Sequence, residues 1–377
     1  SKAPDYSFRV GGDRKFFVEA KKPSVNLKDD IAPAYQVRRY AWSAKLPLSV
    51  LTDFQEFAIY DYRTRPISKD GAAVARVLYC TFDEYEERWP EIDSILSKQA
   101  VLSGSFDRFA DSTKAKKGTA EVDEAFLSEI EAWRVQLAKN LALRNPRLAQ
   151  SDLNFAVQRI IDRLIFLRIG EDRGVEDYGR LRRLLEEKHI YRRLQDYFQD
   201  ADDKYNSGLF HFHAEPARFE TPDELTPHLK IDDQVLGRII RSLYYPDSPY
   251  EFSVLPTEIL GHVYEQFLGK VIRLTPSHAA KIEDKPEVKK AGGVYYTPDY
   301  IVDYIVQQTV GRLVEGKGPR QLRGAGGKPP LRILDPACGS GSFLLGAYQY
   351  LLDHYLHWYE ENDPERQARS KEPAVYQ

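Results

Sequence analysis

The stretch KFFVEAKKP, Lys15–Pro23, opens as a strand entering a core and then carries Glu19 and Lys21 with one small residue between them. Alternate side chains of a strand share a face, so Glu19 and Lys21 point the same way and Ala20 points to the other. A carboxylate and an ammonium are thus presented together at the end of an apolar run. Around this stretch, residues 1 to about 62 alternate strand-like runs with one helical stretch. APAYQVRRYAWSAK (32–45) sets Tyr35, Tyr40 and Trp42 among basic residues, and LSVLTDF (48–54) and EFAIYDY (56–62) read as two further strands. The expectation is a small mixed sheet with a helix.

Beyond residue 62 the pattern weakens. DSTKAKKGTAE (111–121) is small, polar and basic, which suits an exposed linker whose Lys114, Lys116 and Lys117 are either solvated or touch DNA. From about 121 to 285 the periodicity is mostly helical. Phe126, Ile130, Trp133, Leu137 and Leu141 recur every three or four residues, and Asn145-Pro146 stops the run. Ser151 is placed to cap the next helix, whose stripe is Val157, Ile160, Ile161, Leu164 and Leu167. In GGVYYTPDYIVDYIV (292–306), Thr297 suits a helix cap and Pro298 the first turn. LRILDPACGSGSFLLGAY (331–348) reads as a buried strand from Leu331 to Leu334 ending at Asp335, a turn with Gly339 and Gly341, and a helix.

At 377 residues the chain is too long for one ordinary core, and two or three domains are expected. The formal net charge of −3 carries no global polycation signature, so any nucleic-acid contact must come from local basic surfaces. Cys80 and Cys338 are the two cysteines and sit in unlike contexts, which argues against a disulfide framework and for a reducing compartment. No stretch approaches the ~20 apolar residues of a membrane span, and SKAPDYSF lacks the apolar core of a signal peptide. The cytoplasm is the expected location, with no membrane partner. The sequence has no methionine, which is unusual at this length; an intact mass above 43.4 kDa would show that the natural chain carries some.

The string Asp-Pro-Ala-Cys-Gly-Ser-Gly-Ser-Phe, 335–343, resembles the cofactor-binding motif of the DNA adenine methyltransferases, and GGVYYTPDYIVDYIV resembles its companion segment. The resemblance implies a Rossmann-like methyltransferase domain that binds S-adenosylmethionine. Tyr295, Tyr296, Thr297 and Pro298 would line the methionine side, and Asp335, Ala337, Gly339 and Gly341 would form the cradle with Phe343 near it. The family's Asn-Pro-Pro-aromatic tetrad is absent, since KPPLR (328–332) lacks the Asn and the aromatic and precedes the glycine turn. The chain is therefore expected to be the amino-terminal part of a longer enzyme and not to methylate alone.

Asp5 lies fourteen residues before Glu19, and PD followed by EAK resembles the PD-(D/E)xK nucleases. That resemblance implies a restriction-endonuclease-like domain in which Asp5 and Glu19 hold Mg²⁺ and Lys21 positions or activates water. Gln36 and Tyr40 stand four apart and share a helix face; Gln-x-x-x-Tyr resembles an accessory motif that steadies such a site. Nuclease, helical connector and adenine methyltransferase in this order resemble the single-chain type IIG restriction–modification enzymes. The implied layout is a nuclease domain over 1–103, a connector over 104–230 and the start of the methyltransferase over 231–377. The fold class implied is α/β and all-α multidomain.

The implied function is cleavage of double-stranded DNA and methylation of the adenine amino group, in protection of host DNA and defence against phage. Cleavage of both strands would involve self-association. A rival reading keeps the chain as a methyltransferase, or a subunit of a defence complex, whose nuclease-like domain only binds DNA or supports structure. Two other patterns read as ordinary: His211 and His213 in FHFH find no further ligand nearby for zinc, and the mixed Glu and Arg of 180–194 suit a solvated helix.

Overall fold

The computed structural model describes residues 3–10, 13–61, 65–104, 106, 122–205, 207–214, 221–256, 259, 261, 269–285, 297, 299–324, 329–338 and 341–362. The 111–121 linker lies outside them. By contacts the chain divides into two compact units, Ser1–Ile259 with Lys270–Lys285, and Leu260–Gly269 with Pro286–Gln377. The fold is mixed α/β, with a small mixed sheet and many helices.

The sheet has five strands in chain order: β1 (Tyr6–Val10), β2 (Asp13–Ala20), β3 (Leu48–Thr52), β4 (Glu56–Asp61) and β5 (Arg76–Thr81). All neighbours are antiparallel except β2 and β3, which run parallel. A parallel pair needs a crossover, and helix α1 (Ile31–Ser43) supplies it. Phe17 of β2 faces α1 while Phe16 faces the other side, where Leu48, Val50, Ile59 and Leu78 close a core with helix α2 (Tyr85–Leu96). Both phenylalanines are buried because β2 is covered on both faces. The strand β5 lay in the region with least sequence pattern, and its pairing with β4 builds it.

Helices α3 (Val122–Arg144) and α4 (Gln150–Asp172) pack on each other, and every residue of the two predicted stripes is buried. The predicted Ser151 cap is corrected: α4 begins at Gln150 with Ala149 before it, and the Ser151 hydroxyl turns to Asp152 at 3.3 Å. Helices α5 (Ile190–Tyr205) and α6 (Asp233–Ser242) complete the helical layer, with a hairpin of β6 (Lys270–Leu274) and β7 (Ala280–Asp284) against α3 and α4. Asn154 of α4 serves β6 as a strand neighbour would, donating to the Ile272 carbonyl at 2.7 Å and accepting from its N–H at 2.8 Å. Residues 180–194 are salt-bridged to acidic neighbours: Arg180 meets Glu176 and Asp200, and Arg193 meets Glu187. FHFH is not a strand; His211 is buried, and no group of three metal-ligating side chains occurs among the described residues.

In the second unit, α7 (Asp299–Val306) continues through residue 314 and crosses α8 (Ser342–Asn362). Val302, Val306, Val310 and Val314 form their shared core with Leu322 and Ala347. The expected buried strand at Leu331–Leu334 is not formed. Residues 331–335 have no regular structure and no ladder bonds, and Leu334 is 86% exposed. A strand needs a neighbour to take its N–H and C=O groups, and no described strand borders this segment. No described helix is long and apolar enough to cross a membrane. Cys80 is buried, Cys338 is exposed, and the two form no disulfide.

Candidate functional site

The end of β2 gathers four of the five residues singled out at the amino terminus. Glu19 faces α1, and the Lys21 main chain is held to β3 by its N–H donating to the Thr52 carbonyl at 2.8 Å. The Lys21 ammonium returns to Glu19 Oε1 at 2.6 Å and also donates to Gln36 Oε1 at 3.0 Å. Gln36 in turn donates through Nε2 to Glu19 Oε1 at 2.8 Å and to the Tyr40 hydroxyl at 2.9 Å. The amide of Gln36 is thereby used on both sides, which fixes its orientation and that of Lys21.

Asp5, the residue just ahead of β1, completes the set. Tyr6 pairs with Val18, so Asp5 stands beside Glu19, and its Oδ2 accepts from the Ala20 N–H at 2.8 Å. Asp5 is exposed, whereas Glu19 is only 4% exposed. Burial raises the pKa of the Glu19 carboxyl above its ordinary value, with the Lys21 ammonium pulling against that and the Asp5 charge adding to it. Burial likewise raises the Tyr40 hydroxyl, which stays neutral. Glu19 Oε2 is buried and has no hydrogen-bond partner. An unpartnered buried carboxylate oxygen is costly unless something positive meets it. A hard cation held by Asp5 and Glu19 fits that need, since Mg²⁺ takes oxygen ligands and commonly one or two carboxylates.

Residues outside the motif hold this arrangement. Glu56, at the start of β4, accepts from the N–H groups of Leu27 at 2.8 Å and Lys28 at 3.1 Å and from the Tyr79 hydroxyl, pinning the loop after Lys21. No spacing in the sequence ties Glu56 to that loop; only the strand pairing does.

The glycine-rich turn of the second unit is partly described. Tyr295, Tyr296, Pro298 and Gly339 lie outside the described residues, and Thr297 is half-buried ahead of α7. Asp335 Oδ1 accepts from the Ala337 N–H at 3.0 Å, closing a tight turn. Gly341 has φ +84°, accepts from the Leu345 N–H at 2.8 Å and opens α8. No atom lies within 4 Å of where its Cβ would be, so backbone conformation rather than room demands glycine there. Phe343 packs on the core of α7 and α8. The Gly341 N–H donates to the Cys338 carbonyl at 2.7 Å, so the turn leads directly into the helix start.

The N-6 DNA Methylase family matches residues 256–369. The type II restriction enzyme and methyltransferase RM.Eco57I of Escherichia coli is 36% identical over 363 residues, which are 96% of this chain and 35% of that protein. The adenine-specific methyltransferase BrxX of Escherichia coli O9:H4 is 26% identical over 170 residues, 37% of this chain and 13% of its own. Among solved structures, the type IIG restriction endonuclease BpuSI matches over 89% of this chain and 31% of its own at 13% identity, a likeness whose TM-score of 0.28 carries no argument. The chain thus spans about a third of the length of the first of these relatives. The last third of the chain carries the N-6 DNA Methylase match, and nearly the whole chain is similar to part of a type II restriction enzyme and methyltransferase.

Proposed function

We propose that the five-stranded domain is a Mg²⁺-dependent endonuclease acting on double-stranded DNA, and that the glycine turn binds S-adenosylmethionine for transfer of a methyl group to the adenine amino group. The observation that carries the nuclease reading is the closed set Glu19, Lys21, Gln36 and Tyr40 with Glu19 Oε2 left unpartnered beside Asp5. Asp5 and Glu19 would hold the metal, which when bound neutralises phosphate charge and acidifies water. Lys21 is tied to the same carboxylate and stands at the rim, 21% exposed, where it reaches a water next to the scissile phosphate. Gln36 keeps the ammonium in place and Tyr40 keeps Gln36 in place. The nuclease domain of this reading covers 1–103, the connector 104–230 and the methyltransferase region 231–377.

On the second unit, Gly341 and the start of α8 support a cradle for the cofactor, with Asp335 and Ala337 shaping the turn. The similarity to RM.Eco57I and BrxX supports DNA and the adenine amino group as substrates. Self-association for cleavage of both strands, action in a prokaryotic cytoplasm and a role in phage defence belong to the same reading.

The test incubates the complete gene product, wild type and Lys21→Ala, with unmodified plasmid, Mg²⁺ and S-adenosylmethionine, and sequences cut ends and methylated adenines. Discrete cuts, lost at least ~100-fold in the variant while methylation persists, are expected for removal of a group acting on the reacting water. Methylation without cutting by the wild type would leave the five-stranded domain a structural or DNA-binding module.

A further inference from the structure

Helix α1 carries Gln36 and Tyr40 and is sandwiched. One side lies on the sheet; the other is covered by residues 244–255, a segment some two hundred residues later in the chain. Tyr245 meets Tyr35 with ring centroids 5.7 Å apart, and Tyr250 meets Trp42 at 5.5 Å. Between these ring contacts the interaction is polar and buried. The Glu251 N–H donates to Ser43 Oγ at 2.8 Å, the Arg39 guanidinium donates to the Tyr250 carbonyl, and Arg39 lies 3.7 Å from the Glu251 carboxylate. The segment ends on β2: Val254 packs with Phe17 and Tyr40, and its carbonyl accepts from Arg14 at 3.2 Å. Phe17 precedes Glu19 by two residues on the same face of β2, so the segment touches both elements that build the site.

The far side of the segment is anchored to α4. Phe252 N–H donates to Asp172 Oδ2 at 3.1 Å, and Arg168, itself paired with Asp172, donates to the Leu243 carbonyl at 2.9 Å. Glu251 therefore sits between α1 and α4 at 4% exposure. The groups facing it are Arg39 and Tyr40 from α1, Asp172 and Arg168 from α4, and Ser253 Oγ on its own segment, which donates to Oε1 at 3.2 Å.

We propose that Glu251, with Arg39, is a positioning residue for DNA cleavage: it ties α1 to α4 and so holds Gln36 and Tyr40 against Glu19 and Lys21. This rests on the nuclease reading given above. Burial and the facing Asp172 carboxylate raise the Glu251 carboxyl to about 8 against the pull of Arg39, so at neutral pH it holds a proton. A displacement of the catalytic groups by about 1 Å is worth roughly 100-fold in rate, which sets the scale expected when this tie is lost.

The experiment measures Mg²⁺-dependent DNA cleavage by the complete gene product as wild type, Glu251→Ala, Glu251→Gln and Lys21→Ala, from pH 6.5 to 9.5, with thermal unfolding as a control. The expected result for Glu251→Ala is a loss of roughly 100-fold in kcat with KM for DNA within a few fold. Glu251→Gln, which keeps an uncharged group facing Asp172, is expected to restore most of that and to lose the fall in rate that the wild type shows above about pH 8. A folded Glu251→Ala that cuts like the wild type would overturn the proposal. If Glu251→Ala does not fold, Glu251→Gln decides alone, and a pH profile identical to the wild type's overturns it. Failure of the wild type to cut at all, with Lys21→Ala no different, is failure of the nuclease reading and takes this proposal with it.

Discussion

Glu251 and Asp172 form a buried acid pair, and their effect on stability has a sign that can be worked out. The folded Glu251 carboxyl is raised from 4.5 to about 8, so between these values the native chain holds a proton that the unfolded chain releases. The stability tied to that proton is fully present below pH 4.5 and is lost as pH rises through 8, with a slope approaching about 1.4 kcal/mol per pH unit. Thermal unfolding between pH 5 and 9 should show the decline in the wild type and a shallower one in Glu251→Gln; equal slopes would refute it. Gly341 is the second informative residue. Its φ of +84° is costly for any residue with a Cβ, so Gly341→Ala should destabilise the second unit by about 1–2 kcal/mol although no atom crowds the site. Calorimetry would read the shift, and no shift would mean the turn relaxes freely.

Among elements, the crossing of α7 and α8 depends on close approach. A Cβ on Gly346 would sit 3.0 Å from Val302 Cγ1 and 3.4 Å from Val306 Cγ2. Gly346→Val should therefore force the helices apart at a cost of about 1–3 kcal/mol, read as a lowered midpoint of denaturant unfolding; an unchanged midpoint would show that α7 shifts without penalty. The elements also differ in how legible they were. β2 and α1 declared themselves locally, through Glu19 and Lys21 at spacing two and Gln36 and Tyr40 at spacing four, and the structure joins those four by hydrogen bonds. Leu331–Leu334 has the composition of a buried strand and is not one, with Leu334 exposed. Apolarity states that a side chain favours cover; it does not supply the neighbour that pairs.

On the scale of the molecule, the five-stranded sheet is not self-sufficient. Phe17 and Tyr40 share a core with Val254, and Arg39 and Ser43 hydrogen-bond to residues 250–251. A fragment of residues 1–103 would expose Phe17 and Tyr40, each worth about 1.5–3 kcal/mol of burial, and leave the Arg39 guanidinium without the Tyr250 carbonyl. It should unfold well below the intact chain, and limited proteolysis should cut α1 in the fragment and spare it in the whole. Equal protection in both would show that residues 244–255 are a passive cover.

The sequence by itself determined what depends on near neighbours. Strand alternation placed Glu19 with Lys21, helical spacing placed Gln36 with Tyr40, the stripes of α3 and α4 announced their buried faces, and the glycines announced a turn at a helix start. Tertiary structure alone decided what joins residues far apart in the chain: Glu56 under the loop after Lys21, and Glu251 between α1 and α4. The physical reason is range. Backbone periodicity fixes the direction of a side chain relative to residues two to four positions away, whereas a contact across two hundred residues exists only once packing has brought two otherwise unrelated surfaces together.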